Sequence, residues 1–186
     1  MILIMLITAF LCLLSTINAY KDGAPATVCN SMMPTHGAAA QTGFDPYIIS
    51  IFPIFYSSGT THTVTLETVG GPFKGYLLTM RRVDNHAIIV PGFSAPNGAQ
   101  LLTCDNQANA AVTHTDNSTK TSVMFTWTAP AQSVGDLQVV ATVVKDKATF
   151  WTKIESHRIV VFGSSTTTAG CVLGILGSVA ITMLIL

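Results

Sequence analysis

Few side chains in this sequence have the spacing that catalysis or metal binding requires. No two of the five histidines stand two or four residues apart: His36, His62, His86, His114 and His157. A metal ion needs several converging ligands, and the two glutamates, Glu67 and Glu155, lie in separate polar stretches. We interpret His36 and His114 as partly buried side chains bonded to the backbone. No phosphate loop, nucleophile elbow or zinc-protease motif is present, so we predict no catalytic residues, no metal site and no cofactor.

The densest group of charges is a basic and aromatic run at residues 145–158, KDKATFWTKIESHR. Basic groups beside aromatic rings can form a patch for an anionic ligand, such as a sulfated glycan or an anionic lipid. Alternatively, the run is the solvated edge of a sheet with Trp151 packed inward, which is the interpretation we favour. Arg81 and Arg82 would extend the patch if they lay beside it in space. The candidate cations are Lys145, Lys147, Lys153 and Arg158.

The cysteines are typical of an exported protein. Two of the four, Cys12 and Cys171, lie in apolar terminal stretches, which leaves Cys29 and Cys104 in the central part of the chain. In an oxidising compartment these two most simply pair with each other. A redox or zinc site is the alternative, but the sequence lacks the CxxC spacing that would support it.

A glycosylation triplet points to the same compartment. Asn117-Ser118-Thr119 is an acceptor for an N-linked glycan. It lies in the polar stretch HTDNSTKT, which is typical of an exposed turn. We therefore predict that Asn117 carries a glycan in the exported protein.

Residues 1–19 have the pattern of a secretory signal peptide. The run from Ile2 to Leu14 is apolar except for Thr8, and the small residue Ala19 follows a short polar stretch, so we predict cleavage after Ala19. The run is too short for a comfortable membrane span. It departs from the usual pattern in having no Lys or Arg near Met1.

Residues 164–186 end in an apolar stretch, from Cys171 to Leu186, that contains no charged residue. A transmembrane helix is disfavoured because the stretch is shorter than the roughly 20 residues needed to cross the hydrocarbon layer. In addition, no Lys or Arg follows it to set the orientation of a span. Glycines and β-branched residues disfavour a buried helix. The best fit is a signal for a glycosylphosphatidylinositol anchor, in which small residues and a polar spacer precede an apolar tail. We predict attachment at Ser164, with Gly163 as the second choice.

The remaining residues, 20–163, have the composition of one β-rich domain. The net charge is zero, so there is no global electrostatic reason to expect a nucleic acid as partner. After an irregular N-terminal segment, short runs of β-branched and aromatic residues alternate with Gly, Pro and Asn, which predicts an all-β antiparallel sandwich of seven to eight strands. The predicted strands are residues 47–52, 62–68, 73–81, 87–90, 99–104, 121–128, 137–145 and 155–162.

The predicted strand at 121–128 has the clearest pattern. Because successive side chains of a strand point to opposite faces, Val123, Phe125 and Trp127 are expected to point into the core. Met124 and Thr126 are expected to point the other way.

Four stretches resemble the reeler domain, a module of reelin, the spondins, insect defence proteins and ferric-chelate reductase-like membrane proteins. They occur in the order CNSMMPTHG (29–37), FKGYLLTMRR (73–82), LLTCDNQANAAVTHTDNSTKTSVMFTWTAP (101–130) and GDLQVVATVVKDKATFWTKIES (135–156). The resemblance implies an immunoglobulin-like β-sandwich. It also implies that Cys29 and Cys104 pair.

The resemblance indicates the fold more specifically than the function, because proteins with one fold can carry different functional sites. In the reductase-like relatives redox chemistry belongs to additional domains, whereas free-standing members resemble insect defence proteins. We expect a non-enzymatic protein, secreted or lipid-anchored on the outer face of the plasma membrane. Its expected partner is an extracellular protein, a glycan or a microbial-surface ligand, in innate immune defence against bacteria. The alternative is a matrix or adhesion module with affinity for heparin-like glycans.

Overall fold

A computed structural model of the chain describes residues 20–35 and 37–162. Several predictions concern residues outside this described part: the signal peptide with its cleavage after Ala19, the backbone-bonded His36, the anchor sites Gly163 and Ser164, and the apolar tail. Among the described residues, no helix combines the length and the apolar character needed to cross a membrane.

The regular structure of the described residues consists of strands and one short 3-10 helix, Ala26–Val28. The all-β class predicted from the sequence is confirmed, with eleven strands where seven or eight were expected. In chain order they are β1 Tyr47–Phe52, β2 Phe55–Tyr56, β3 Thr61–Thr68, β4 Gly75–Arg82, β5 Phe93–Ser94, β6 Ala99–Cys104, β7 Gln107–His114, β8 Ser122–Thr128, β9 Leu137–Asp146, β10 Thr149–Glu155 and β11 Val160–Val161.

The strands form a sandwich of two sheets. A four-stranded sheet in the order β1-β3-β8-β5 packs on a five-stranded sheet in the order β10-β9-β4-β7-β6. The pairings within both sheets are antiparallel. The short strands β2 and β11 pair in parallel beside them. The predicted antiparallel sandwich is therefore confirmed.

The core between the sheets follows from alternation along the strands. On β8, Phe125 and Trp127 are buried and Val123 packs against the core, whereas Met124 and Thr126 are exposed. The predicted facing of these residues is confirmed. The indole of Trp127 is fully buried and its Nε1 donates to a backbone carbonyl oxygen at 3.3 Å, which satisfies the one polar group that this ring brings into the core.

Four strands were not predicted from the sequence: the two-residue strands β2 and β5 and the longer strands β7 and β10. The Asn-rich stretch after Cys104 lies outside the predicted strands. In the structure Asp105 and Asn106 have φ values of 49° and 62° and form a two-residue turn that leads directly into β7. β10 was not among the predicted strands, although the interpretation favoured for residues 145–158, the solvated edge of a sheet, agrees with its position at the edge of the five-stranded sheet. It pairs with β9 through a second tight turn at Lys147 and Ala148.

Two predicted strands are wrong in their bounds. In the segment 87–90 only Ile89 makes a bridge, to Arg81, and Pro91 has no N–H with which to extend the pairing. The predicted strand at 155–162 begins too early, because β10 ends at Glu155 and β11 covers only two residues. The two residues of β11 pair with β2 rather than with the five-stranded sheet.

Candidate functional site

The five-stranded sheet is buried on both of its faces. Alternation along β4 directs Tyr76, Leu78 and Met80 into the sandwich core, so Leu77, Thr79 and Arg81 point to the opposite side, which we call the outer face. Residues 20–35, which we call the N-terminal segment, lie across this face. Together they form a second apolar cluster, which we call the outer cluster: Cys29, Met32, Leu77, Ile89, Cys104, Ala110, Ala111 and Val140.

A disulfide fixes the N-terminal segment to the sheet. Cys29 and Cys104 are bonded, with their Cα atoms 6.0 Å apart and a separation of 75 positions in sequence. The predicted pairing is confirmed. Next to it, the Asn30 side-chain amide donates to the Asp105 carboxylate at 2.9 Å. Both bonds attach the segment to the end of β6.

Met32 anchors the middle of the segment. Its side chain is buried and its φ is 56°, a value that non-glycine residues adopt rarely. The Thr142 hydroxyl donates to the Met32 carbonyl oxygen, and the Thr79 hydroxyl lies 3.8 Å from its sulfur. The outer face therefore holds this residue by polar bonds as well as by apolar contact.

His114 holds the start of the segment. Its Nδ1 accepts from the Tyr76 amide at 3.1 Å, which leaves the proton of the neutral ring on Nε2, 3.3 Å from the Tyr20 carbonyl oxygen. Burial lowers the pKa of His114 below its usual value, although hydrogen bonds with the Tyr76 and Tyr20 backbone oppose it. The smaller effects of two nearby charges are opposite, since Lys120 lowers the pKa and Asp116 raises it. The interpretation of His114 as a buried, backbone-bonded side chain is confirmed.

Arg81 is the most unusual residue of the outer face, because it is a buried charge. Only 4% of its surface is exposed. Its guanidinium donates to the Thr79 hydroxyl at 2.9 Å and to the carbonyl oxygens of His86 and Cys29. None of the ion pairs among residues 20–35 and 37–162 includes it. Burial lowers the pKa of Arg81, although the more distant Asp105 charge raises it.

A cleft of about 350 Å³ opens beside this guanidinium. Met32 and Val140 supply apolar wall, while Arg81, His86 and Lys153 supply nitrogen atoms. The described residues that line it include no carboxylate. The cleft can therefore offer positive charge and N–H donors to a ligand.

The position of Lys153 depends on an irregularity in β10. The pairing of β10 with β9 shifts register between Trp151 and Ile154, and Lys153 has a φ of 58°. A bulge of this kind changes the direction in which a side chain points. Lys153 lines the cleft as a result, while Trp151 packs against Tyr47 with ring centroids 5.3 Å apart. The inward packing predicted for Trp151 is confirmed.

The structure separates the four cations of the candidate patch, which was the less favoured interpretation of the run at residues 145–158. Lys145 and Lys147 lie at or beside the turn between β9 and β10. Arg158 lies at the other end of this strand pair, 3.5 Å from the Asp136 carboxylate. Only Lys153 lines the cleft, so these residues do not form one continuous surface.

The remaining histidines also stand apart. His62 is buried in the core, where its Nδ1 lies 2.7 Å from the Pro53 carbonyl oxygen, and burial lowers its pKa. His86 lies beside the cleft, with Nε2 3.0 Å from the Gln138 amide and Nδ1 3.5 Å from Glu155. Across the described ranges, no three His, Cys, Asp or Glu side chains converge as metal ligands would.

Asn117 lies in the exposed turn between β7 and β8. The neighbouring Asp116 carboxylate accepts from the Ser118 amide at 2.7 Å and from Lys120 Nζ at 2.9 Å, which orders the turn. The hydrogen bonds with Ser118 and Lys120 lower the pKa of Asp116. The Asn117 side chain is thus accessible, and its glycosylation stays a prediction.

The cleft itself was missed in the sequence, although one signal for it exists. Arg81 occupies an outward position two residues after Thr79 and four after Leu77, and a charged residue at that position of a buried strand is unusual. His86 and Lys153 carry no such signal, because a loop and a bulge bring them to the cleft.

The comparison with known proteins agrees with this architecture. Residues 27–167 match the Reeler domain family. The chain is 37% identical over 153 residues to "Putative ferric-chelate reductase 1" of Danio rerio, which covers 81% of this chain but 27% of that protein. It is also 37% identical over 157 residues to "Putative defense protein 3" of Antheraea mylitta, which covers 83% of this chain and 94% of that protein.

The chain thus spans about a quarter of the length of the reductase relatives and nearly the whole of the Antheraea protein. A solved structure of the human F-spondin reeler domain is similar with a TM-score of 0.55 at 18% identity, covering 67% of this chain and 94% of that one. At this identity the likeness concerns the fold, and it agrees with the β-sandwich. The match to the family extends over most of the sequence, and the chain belongs to the Reeler domain family.

Proposed function

We propose that this chain is a non-enzymatic extracellular protein that binds a microbial-surface ligand in innate immune defence against bacteria. The observation that carries the proposal is the share of a defence-protein relative that aligns with this chain. The alignment takes in 94% of "Putative defense protein 3", so a protein of that name consists almost entirely of the domain present here. In the reductase relative about three quarters of the protein lies outside the alignment.

The chemistry of the domain supports binding rather than turnover. The cleft beside Arg81 offers donors and positive charge without a nucleophile or a carboxylate among its lining residues. The Cys29–Cys104 disulfide supports an extracellular location, because such bonds persist in oxidising compartments. The accessible triplet at Asn117 supports the same location.

A sedimentation assay with intact bacteria tests the binding proposal. The full-length chain would be expressed in secreting animal cells, purified and mixed with Gram-positive and Gram-negative cells. An unrelated β-sandwich protein of similar size and charge serves as control. We expect saturable co-sedimentation of this chain alone. Sedimentation no greater than that of the control would overturn the proposal, and salt-sensitive retention on heparin in that case would favour the adhesion alternative.

We further propose that the mature protein is held on the outer leaflet by a glycosylphosphatidylinositol anchor at Ser164 or Gly163. The support is the sequence pattern of residues 163–186, in which small and polar residues precede an apolar stretch. A phosphatidylinositol-specific phospholipase should release the protein from intact cells. An epitope added after Leu186 should be absent from the mature form. Retention of the epitope, with no release by the enzyme, would contradict the anchor.

A further inference from the structure

We propose that the cleft between the N-terminal segment and β10 binds the anionic end of a small organic molecule, a phosphate, sulfate or carboxylate group. The inference rests on the proposed function in one respect, that the chain acts by binding. It adds the location of a binding site and the chemistry that the site recognises.

The first argument is the state of Arg81. A guanidinium has five N–H donors, and the three hydrogen bonds that it makes leave one N–H on each terminal nitrogen without an acceptor in the described part of the chain. It has no carboxylate within ion-pair distance there. Burying an unpaired charge is costly, and an oxyanion would supply both missing acceptors and the missing charge.

The second argument is the arrangement around Arg81. Lys153 reaches the same cleft only because a bulge and a φ of 58° redirect it, and such backbone conformations are concentrated at functional sites. Asn30 also lines the cleft. Glu155 and Asp105 are the nearby carboxylates, but they contact His86 and Asn30 respectively and do not line the cleft.

The third argument is size. A volume of about 350 Å³ has room for about ten water molecules and lies in the range of small-molecule sites. That is more space than a single inorganic ion needs. The apolar wall of Met32 and Val140 can contact the uncharged part of a ligand whose anionic group meets Arg81 and Lys153.

Nuclear magnetic resonance can test the site on the glycosylated, disulfide-bonded protein. Sodium phosphate, sodium sulfate and sodium acetate would be titrated separately at constant ionic strength, with sodium chloride as reference. We expect at least one oxyanion to give saturable shifts of the Arg81 Nε–H and of amides in Asn30–Met32, and chloride to give none. Shifts that are linear, or equal with chloride, would overturn the proposal.

Matched lysine variants assign the effect to the cleft. Lys153→Gln should weaken binding at least fivefold, whereas Lys147→Gln, at the exposed β9–β10 turn, should leave it unchanged. Equal affinity in both variants and the native protein would overturn the site. Arg81→Lys keeps the charge but removes the planar fork, and it should weaken binding if it folds. If the Arg81→Lys protein does not fold, the comparison of Lys153→Gln with Lys147→Gln tests the site.

One further probe defines the ligand, and the bacterial sedimentation assay separates this inference from the defence proposal. Propyl phosphate, whose carbon chain is apolar, should bind more tightly than inorganic phosphate because the chain can contact the wall of Met32 and Val140. Binding no tighter than that of inorganic phosphate would overturn that part of the inference. If phosphate binds in the cleft but bacteria do not bind the protein, only the defence proposal fails. If bacteria bind and no oxyanion does, only the cleft assignment fails.

Discussion

The two faces of the five-stranded sheet are buried by different physical means. The inner face packs against the second sheet through apolar side chains that alternate along regular strands. The outer face is covered by a segment with little regular structure, held by the Cys29–Cys104 bond and by polar contacts of Thr142, His114 and Arg81. The stability of the inner face therefore depends on the volume and apolar area of the packed side chains. The attachment of the segment to the outer face depends on the disulfide and on individual hydrogen bonds.

This difference explains why the candidate site lies on the outer face. Buried polar groups need partners. Because the N-terminal segment is held on the outer face by separate hydrogen bonds, it can stop partway across that face without leaving a broad apolar surface exposed to solvent. At that place Arg81 is buried, two of its N–H groups have no acceptor among the described residues, and the cleft opens beside it. Four predictions test the contrast between the faces.

The largest effect is expected from a cavity in the inner face. Trp127→Ala should lower the free energy of unfolding by about 3–5 kcal/mol, because the indole is fully buried between the sheets. Met124→Ala on the same strand is the control and should change it by less than about 0.5 kcal/mol, since that side chain is exposed. Urea unfolding followed by fluorescence and circular dichroism measures both. Similar losses in the two variants would contradict the assignment of faces.

The inner face was also the part that the sequence predicted best. Val123, Phe125 and Trp127 alternate with polar or exposed residues, and a period of two identifies a strand with one face in the core. β7 was harder to predict from the sequence, because it begins directly after the turn at Asp105 and Asn106. The positive φ values of these two residues make the Asn-rich stretch part of a hairpin.

The outer face could be predicted only in part. The disulfide followed from the cysteine count and the compartment, and the burial of His114 was expected. The cleft was not, because Asn30, Arg81, His86 and Lys153 come from four separate stretches of the chain. Their approach depends on the bulge in β10 and on the path of the N-terminal segment, neither of which has a periodic pattern.

The second prediction removes the covalent attachment of the outer face. The double variant Cys29→Ser, Cys104→Ser should lose about 2–4 kcal/mol of unfolding free energy, because the disulfide closes a long loop. Limited proteolysis should then cut within the N-terminal segment before the sandwich unfolds. The native protein under the same conditions is the control. Stability unchanged within about 0.5 kcal/mol, with an uncut segment, would show that noncovalent contacts alone hold this face.

The third prediction concerns the path of the segment at Gly23. Its φ is 109°, and a Cβ built there would overlap the His114 carbonyl oxygen and the Gln100 side chain. Gly98 also has a positive φ, of 84°, but a Cβ there meets nothing within 4 Å. Gly98→Ala should therefore cost about 1 kcal/mol for backbone conformation alone, and Gly23→Ala about 2 kcal/mol or more. Equal costs from thermal or chemical unfolding would contradict the close packing of the segment.

The smallest effect is expected from pH, acting through one imidazole under the segment. Burial lowers the pKa of His114 in the folded protein, whereas an unfolded histidine titrates near its ordinary value of about 6.5. Above that value both states are neutral and the folded state keeps its full stability. As the pH falls, the unfolded or opened state takes up the proton first, so stability decreases until the lowered pKa of the folded state is reached. The Lys120 charge acts in the same direction as burial, and Asp116 opposes it.

Hydrogen exchange can separate this effect from that of His62, whose pKa is also lowered by burial but whose ring lies in the core. The Ala24 amide, which donates to the Thr113 hydroxyl at 3.0 Å, reports on the segment beside His114. Between pH 7 and pH 5 its protection, corrected for intrinsic exchange, should decrease more than that of amides in β3 and β8. His114→Gln should remove this extra decrease, because glutamine does not titrate, while the core amides keep their response. If Ala24 and the core amides respond alike in the native protein, the outer face opens only with global unfolding, and the two faces are one cooperative unit.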